Sequence, residues 1–289
     1  MRLCAAAVAL AACSSHPGGG TIDQQAAHGV FDEVPIDAPP GMSDLTIDDR
    51  GIVWGIAERD REVIEIDLAT SPPRITKHPL DGIPAGVDTE GLAWLGDGRF
   101  AIGTEGADEP TASIALAELR GDRLVVTRTR PLTSGELGVP ITDNHGIESV
   151  CGRGDEILAA SESAGTLPDG TRFAALVRLS GGTPSVAKVR LTSDVGKLSA
   201  LHCTFAPDGT ADVVAIERHY RVSRIVHFTA ARDAVEITPD ILFDLAPILR
   251  DSLNLEGIVR LPDGRLIAIN DNQGKHTSGP TELLVFEKP

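Results

Sequence analysis

Residues 90–106 read EGLAWLGDGRFAIGTEG, a pattern that is typical of a β-hairpin. Two apolar runs, residues 92–95 and residues 100–103, stand on either side of Asp97-Gly98. This dipeptide favours a two-residue turn between antiparallel strands, and short apolar runs bounded by turn residues indicate strands rather than helices. The stretch therefore predicts an antiparallel strand pair at this point of the chain.

Four further segments repeat this pattern. They begin at Ser43, Glu148, Ser199 and Glu256, and with Glu90 included the successive starts are 47, 58, 51 and 57 residues apart. Repeats of this length are typical of propeller blades rather than of helical repeats. Residues 29–289 are therefore predicted to form one repeating domain.

Each repeat continues with two more strand-like runs, such as residues 113–119 and 124–129 in the second repeat. Four strands per repeat around a central axis predict an all-β fold, a single β-propeller with five four-stranded blades. Six blades are the alternative, with the additional blade hidden within residues 196–253, although residues 241–249 are more typical of a short helix or a loop.

The two ends of the domain are predicted to meet in the last blade. After the fifth hairpin the chain has one more strand-like run, residues 282–286, and then ends. Residues 30–36 form an unassigned strand-like run at the other end of the domain. This N-terminal strand is expected to supply the missing fourth strand and so close the ring.

The first twelve residues are predicted to be a lipoprotein signal peptide. Arg2 gives a positive start, and residues 3–12 are apolar but too short to span a membrane. Residues 10–13, Leu-Ala-Ala-Cys, resemble a bacterial lipobox, in which Cys13 would carry the lipid. A plain secretory signal that is cut near residue 12 is the alternative.

Residues 13–28 are small, polar and glycine-rich, as expected for a flexible tether. Ser14, directly after the cysteine, favours sorting to the outer membrane. We therefore expect an extracytoplasmic monomer that contacts the membrane through the lipid on Cys13. It would lie at the outer membrane and face the periplasm or the cell surface.

The charge balance excludes one class of partner. The chain has 26 Lys and Arg against 42 Asp and Glu, a net charge of −16, and nucleic-acid binding needs a basic surface instead. Of the four cysteines, Cys151 and Cys203 remain in the predicted domain. An oxidising compartment permits a disulfide between them, but two buried free thiols fit the sequence equally well.

Counting outward from the predicted turns brings carboxylates together at one rim of the propeller. It pairs Ser43 with Glu58, Glu90 with Glu105, and Glu256 with Asp271, and like charges directly opposite one another destabilise a hairpin. The predicted rim holds eight carboxylates, namely Glu58, Glu90, Glu105, Glu148, Glu162, Glu217, Glu256 and Asp271.

A hard divalent cation would offset this repulsion, and calcium accepts about six to eight oxygen ligands in irregular geometry. The sequence therefore predicts a calcium site centred on Glu90, Glu148 and Glu256, with Glu105 and Asp271 as further ligands. Two alternatives remain open. The carboxylates would accept backbone N–H groups of the next blade and lock the blades together, or they would form a solvated acidic surface.

Basic residues near the predicted rim suggest phosphate recognition. Arg59, Arg218 and His219 are the predicted catalytic residues, because a guanidinium offers paired donors to phosphate and a bound cation would polarise the phosphoryl oxygen. Three more basic residues lie close to rim positions in the sequence, namely His145, Lys197 and Lys275.

Several motifs resemble one known family. They are Asp88-Thr89-Glu90-Gly91-Leu92 with Gly103-Thr104-Glu105-Gly106, Asn144-His145-Gly146-Ile147-Glu148, Ala215-Ile216-Glu217-Arg218, Asn254-Leu255-Glu256-Gly257-Ile258 with Asn270-Asp271-Asn272, and Thr281-Glu282-Leu283-Leu284-Val285-Phe286. Over residues 40–289 the chain is similar to the phytase-like propeller family described as having esterase-like activity of phytase.

This resemblance implies a propeller that hydrolyses a small phosphorylated or ester substrate. The sequence lacks the Asp-Asp-Pro-Ala signature of the calcium-dependent propeller phytases. Two other functions fit the same residues, a non-catalytic surface binding or scaffold propeller and a calcium-dependent lactonase.

Overall fold

The computed structural model describes residues 30–106, 109–219, 221–248, 254–273 and 279–287. Within these ranges the fold is all-β apart from one helical turn, and no helix is long and apolar enough to cross a membrane. The predicted signal peptide, tether and lipidated Cys13 lie outside the described residues.

Twenty of the strands form five units of four antiparallel strands, each counted outward from an innermost strand. Strand β1 (Phe31–Pro35) comes first in the chain and belongs to the fifth unit. The first two units contain β2 (Met42–Ile47), β3 (Val53–Ala57), β4 (Glu62–Asp67) and β5 (Arg74–Asp81), then β6 (Val87–Gly96), β7 (Arg99–Gly106), β8 (Ala112–Arg120) and β9 (Arg123–Leu132).

Helix α1 (Ser134–Leu137) precedes the third unit, and one short strand extends the sheet of that unit. The third unit has β10 (Ile147–Arg153), β11 (Glu156–Thr166), β12 (Arg172–Leu179) and β13 (Ser185–Arg190). The fourth has β14 (Lys197–Phe205), β15 (Ala211–His219), β16 (Val222–Ala230) and β18 (Asp240–Asp244), and the fifth has β19 (Asn254–Arg260), β20 (Leu266–Asp271) and β21 (Glu282–Phe286). The short β17 (Glu236–Ile237) follows β16 in the chain but pairs parallel with β13 at the outer edge of the third unit.

The pairing of the outer strands differs between units. The first and second units share one eight-stranded sheet through the parallel pair β5 and β9. In the fifth unit β1 pairs antiparallel with β21, so that a strand from each end of the domain lies in one sheet. The helix or loop expected over residues 241–249 is wrong for its first four residues, because β18 extends through Asp244 and completes the fourth unit.

The innermost strands surround a common axis. They contact one another in the order β2, β6, β10, β14, β19 and back to β2. Five hydrophobic clusters lie between neighbouring units, one for each contact in this order. The cluster between the first two units, for example, packs Trp54 of β3 against Phe100 of β7. Sheets that are covered on both faces explain the continuous apolar runs in the sequence.

Every innermost strand contains a β-bulge at the same place. The register against the second strand shifts by one residue in each unit, and the skipped residues are Ser43, Glu90, Glu148, Ser199 and Glu256. A bulge inserts one unpaired residue and bends the strand locally. The five residues that begin the sequence repeats are therefore the five bulged residues of the fold.

The bulges overturn the pairs that counting from the turns predicted. Glu105 lies opposite Asp88 instead of Glu90, and Asp271 lies opposite Asn254 instead of Glu256. In the first unit Glu58 donates its backbone N–H to the carbonyl of Gly41, 2.8 Å away. The reason is physical, since an extra residue in one strand shifts every pair beyond it.

The glycine after two of the bulges permits a very close approach of neighbouring units. A Cβ on Gly91 would lie 2.7 Å from the backbone nitrogen of Val150 in β10. A Cβ on Gly257 would lie 2.8 Å from the backbone of Asp44 in β2. Both contacts join innermost strands, so the Glu-Gly pairs of the sequence mark a backbone contact at the axis.

Asp44 occupies the corresponding position of the first unit and is fully buried. Its two carboxylate oxygens accept the N–H groups of Leu45 at 2.8 Å and Leu92 at 2.9 Å, and the N–H of Val150 also bonds to it. Burial raises the pKa of Asp44 well above its ordinary value, while these N–H donors act in the opposite direction. One carboxylate therefore joins the innermost strands of three units.

Cys151 and Cys203 form a disulfide between β10 and β14. Their Cα atoms are 5.7 Å apart, and 52 residues separate them in the chain. Of the two states that the sequence left open, the structure has the covalent link. It ties the third unit to the fourth.

Replacing Asp44 with alanine is expected to lower the free energy of unfolding by several kcal/mol. The N–H groups of Leu45 and Leu92 would lose their acceptor, and a buried unpaired group costs about 1–3 kcal/mol. Denaturant unfolding followed by circular dichroism measures the loss. The control is Asp155→Ala, whose side chain is 92% exposed, with an expected change of at most about 0.5 kcal/mol. Equal stability of the two variants would contradict the role of Asp44.

Candidate functional site

In each unit one pair of facing residues lies just before the bulge, with one residue in or next to the innermost strand and the other in or next to the second strand. The five pairs lie at the same end of the axis. They are Gly41 with Glu58, Asp88 with Glu105, Gly146 with Glu162, Lys197 with Arg218, and Asn254 with Asp271. We call these ten residues and the five bulged residues the rim. Four units contribute an acidic residue to these pairs, whereas the fourth unit contributes two cations.

Glu217 is not part of the rim, and its prediction as a rim carboxylate is wrong. It pairs with Leu198 and is completely buried. Its carboxylate accepts hydrogen bonds from the Thr192 N–H at 2.8 Å, the Thr192 hydroxyl at 2.7 Å and the Ser193 hydroxyl at 2.6 Å. Matching glutamate to glutamate between repeats misaligned the fourth unit by one residue, and Arg218 takes the rim position instead.

The two cations of the fourth unit bind the carboxylates of both neighbouring units. The Lys197 Nζ lies 2.6 Å from the Glu148 carboxylate and donates a hydrogen bond to Glu162. Arg218 pairs with Glu256 and lies 3.7 Å from Glu148. Burial acts to lower the pKa of Lys197, but the Glu148 carboxylate and its other acidic neighbour raise it overall.

Three carboxylates lie together between the first and second units, those of Glu58, Asp88 and Glu90. One oxygen from each residue lies within 4.8 Å of the others. Thr89 holds the two units together here, because its hydroxyl donates to the backbone carbonyls of Ala57 at 2.9 Å and Glu58 at 3.1 Å. We call these three residues the first acidic cluster.

The first acidic cluster has little cationic charge around it. Arg59 pairs with Glu58 at 2.6 Å, and its side chain is 60% exposed. Within the described part of the chain, Asp88 and Glu90 form no ion pair. Burial raises the pKa of Glu90 well above its ordinary value, and the charges of Glu148 and Glu105 raise it further.

Glu105 belongs to a different group of carboxylates, together with Glu148 and Glu162. Their oxygens also lie within 4.8 Å of one another, and we call these residues the second acidic cluster. Burial raises the pKa of Glu105 to about 8, although the Gly146 N–H donates to it at 2.8 Å and opposes the change. At neutral pH this carboxyl group therefore holds a proton.

The donor chemistry of the first acidic cluster fits calcium. Three carboxylates provide only hard oxygen ligands, and calcium prefers such ligands in flexible arrangements. The second acidic cluster has the same chemistry, but Lys197 already contacts it. The predicted calcium ligands therefore do not lie at one site. Glu90 belongs to the first acidic cluster, Glu105 and Glu148 belong to the second, and Glu256 lies beside Arg218.

Asp271, the remaining predicted ligand, is held by neutral donors. The Asn254 side-chain amide donates to it at 2.7 Å, and the Gln273 N–H donates at 2.8 Å. Asn254 also donates to Glu256 at 2.9 Å. These contacts fix the two acidic residues of the fifth unit in place.

The predicted basic residues lie on different sides of the rim. Arg59 accompanies the first acidic cluster, while Arg218 lies among Glu148 and Glu256. Burial lowers the pKa of His219, and the charges of Arg218 and Lys197 lower it further. His145 is exposed, with its Nδ1 2.8 Å from the Asp143 carbonyl oxygen. Lys275 lies outside the described residues.

Sequence reasoning missed Asp88 and Asn254 as rim residues. Both stand two residues before a bulged glutamate, in the order Asp-Thr-Glu-Gly and Asn-Leu-Glu-Gly. A polar residue at this spacing was the available signal. This signal identifies a rim residue only when the bulge is known, because the bulge places the earlier residue opposite the acidic residue of the second strand.

Repeated four-stranded units around an axis, with carboxylates gathered at one end, define a propeller-like all-β protein with an acidic rim. The family model named phytase-like, described as esterase-like activity of phytase, matches residues 39–274. The chain therefore belongs to this family. No curated protein sequence matches it significantly.

Solved structures of similar fold share little sequence with the chain. The PQQ-bound aldose sugar dehydrogenase of Streptomyces coelicolor is 11% identical, with 89% of this chain and 98% of that chain covered and a TM-score of 0.52. The RS223 β-xylosidase is also 11% identical, with coverages of 88% and 94% and a TM-score of 0.53. At such identities the likeness shows the fold alone.

The pKa of Glu105 predicts how stability changes with pH. The folded protein keeps a proton up to about pH 8, whereas the ordinary value is 4.5. The free energy of unfolding should therefore fall as the pH rises between these values. Thermal melts in chelator from pH 5 to 8 should show this fall, and Glu105→Gln should make it less steep.

The matched control for this measurement is Glu118→Gln, an exposed glutamate in the same unit. It should leave the pH dependence of the melting temperature as in the original protein. A slope that Glu105→Gln leaves unchanged would show that Glu105 is ionised in the folded state.

Proposed function

We propose that this protein is a five-bladed β-propeller, closed by β1, that binds calcium at the first acidic cluster and hydrolyses a phosphoric ester at the rim. One observation carries the proposal. The rim has open carboxylates with the exposed Arg59 beside them at the first and second units, and it has the cations Lys197 and Arg218 at the fourth unit. A substrate that carries both a phosphate and a cation-binding oxygen matches such an arrangement.

The acidic side would hold the cation through Glu58, Asp88 and Glu90. When bound, calcium supplies positive charge that stabilises the charge developing on phosphoryl oxygens. Membership of the phytase-like family supports this chemistry. The close approach of the three carboxylates, without an ion pair at Asp88 or Glu90 among the described residues, supports the location.

The basic residues would bind and orient the phosphate. Arg59 is the best placed, because it lies beside the first acidic cluster and its exposed guanidinium has donors in addition to those bound by Glu58. Arg218 and His219 would contribute from the fourth unit, where Arg218 is held in place by Glu256. A guanidinium can donate two parallel hydrogen bonds to one phosphate.

Glu105 would act as the general acid. Its raised pKa keeps a proton on the carboxyl at neutral pH, and a positioned acid of this kind accelerates a reaction by protonating the leaving oxygen. Hydrolysis then consumes one water and releases an alcohol and a phosphate. The Gly146 N–H holds the carboxyl in position by donating to its other oxygen.

Calcium in millimolar concentration should raise the melting temperature of the full-length protein in detergent, because a ligand that binds the folded state stabilises it. The double variant Asp88→Asn, Glu90→Gln should lose most of this rise, since it removes the charges of two proposed ligands. Glu118→Gln is the control and should keep the full rise. Equal rises in both variants would place any bound calcium elsewhere.

Arg59→Gln should lower kcat/KM for a phosphoric ester about tenfold to a hundredfold without changing the melting temperature. The lost charge-assisted hydrogen bond accounts for about 1.5–3 kcal/mol. An exposed arginine of the second unit, Arg120, provides the control variant Arg120→Gln. Turnover of a lactone in place of the phosphoric ester would favour the lactonase alternative, and absence of both activities would favour a binding propeller.

We further propose that the protein is extracytoplasmic and anchored at the outer membrane through lipid on Cys13. The lipobox-like sequence of residues 10–13 and the polar stretch of residues 14–28 support this proposal. The variant Cys13→Ser should move the protein from the membrane fraction to the soluble fraction after cell breakage. Retention in the membrane fraction would contradict the anchor.

A further inference from the structure

The two acidic clusters are alike in composition but differ in their surroundings. Each has three carboxylates with oxygens within 4.8 Å of one another. In the second cluster the Lys197 Nζ contacts Glu148 at 2.6 Å and donates to Glu162, whereas Asp88 and Glu90 of the first cluster have no such partner among the described residues. The second cluster therefore has an ammonium group in direct contact with two of its carboxylates, whereas the first has only the exposed Arg59 beside Glu58.

Lys197 reaches the second cluster from the neighbouring unit. It begins β14, while Glu148 lies in β10 and Glu162 in β11. The Lys197 side chain is 17% exposed and that of Glu148 is 6% exposed, so the contact is made largely out of water. At the equivalent position the second and fifth units carry Asp88 and Asn254, neither of which is a cation.

Two residues that adjoin the second cluster in the chain have side-chain oxygens without a hydrogen bond. The hydroxyls of Ser149 and Ser161 are fully buried and have no partner among the described residues. They are the chain neighbours of Glu148 and Glu162. Buried hydroxyls are usually hydrogen-bonded, so these two are exceptions, and both belong to the strands that carry Glu148 and Glu162.

We propose that Lys197 is a built-in cation that fills the second acidic cluster and thereby restricts the rim to one divalent ion. The ammonium supplies charge where a second ion would otherwise bind. A divalent ion could enter only by displacing Lys197 toward Arg218, another cation that already lies 3.7 Å from Glu148. Displacement would bring two like charges together in a poorly solvated place, which is unfavourable.

This inference rests on the proposed function for the first ion, but the second cluster can be tested separately. Isothermal titration calorimetry with calcium chloride should give one ion for the full-length protein in detergent. The variant Lys197→Met, which removes the charge and keeps much of the volume, should bind one ion more. Lys197→Arg keeps a positive charge and should bind as the original protein does.

A further variant assigns the added ion to its site. Glu148→Gln in the Lys197→Met background should remove the added ion and keep the first. If Lys197→Met folds poorly in chelator, its melting temperature should still rise more with calcium than that of the original protein, because two bound ions stabilise the fold more than one. The melting measurement thus decides the question in either case.

The outcomes separate this inference from the proposed function. No ion in the original protein, with one gained by Lys197→Met and lost with Glu148→Gln, would support the inference and refute the first site. One ion in both proteins would support the first site and overturn the inference. Two ions in the original protein, or no gain in the variant, would also overturn it.

Discussion

The fold depends on how closely its five innermost strands approach one another at the axis. Gly91 and Gly257 lie in contact with the backbone of the next unit, where a Cβ would come within 2.7 and 2.8 Å of backbone atoms. The same positions in other units carry Ser149 and Ala200, which are also small. Only Asp44 departs from this rule, and its carboxylate accepts the N–H of Leu45 in its own strand and the N–H of Leu92 in the adjacent innermost strand.

This contact also determines where the acidic residues lie. The bulge that comes directly before each small residue removes one side chain from the strand ladder, and in three units that side chain is a glutamate. The rim carboxylate and the small residue at the axis are therefore adjacent in the chain. The Glu-Gly pair combines a carboxylate at the rim with a close contact at the axis.

The charges of the rim are unequal because the units are not identical. The fourth unit departs most from the others, with Lys197 and Arg218 where the second unit has Asp88 and Glu105. Through these two side chains it neutralises Glu148, Glu162 and Glu256 of its neighbours. A fold built by repetition thus acquires one distinct side.

The sequence predicted the repeat and the strands well, because both depend on local patterns. Asp97-Gly98 forms the expected turn with both residues at positive φ, and the strand expected over residues 282–286 is β21. Prediction from the sequence failed where one inserted residue changed the pairing of two strands. The bulge at Glu90 and the one-residue misalignment that placed Glu217 on the rim leave no trace in hydrophobic patterning, because both faces of the inner strands are buried.

The partners of the carboxylates were also beyond the sequence. Lys197 is 35 residues from Glu162 in the chain, and Arg218 is 38 residues from Glu256. Such pairs depend on which units adjoin and on the height of each strand along the axis. A count of the predicted rim residues indicates an excess of negative charge. Only the three-dimensional fold shows which of these carboxylates are paired with a cation and which are not.

The pairing of β1 with β21 has a mechanical consequence. Whatever precedes residue 30 pulls on the protein through β1, whose five residues are held to the rest by one neighbouring strand. Phe31 packs against Phe286 in the cluster between the fourth and fifth units. A sustained force on that end would peel away one outer strand first, and β19 with its Glu256 would stay paired with β20.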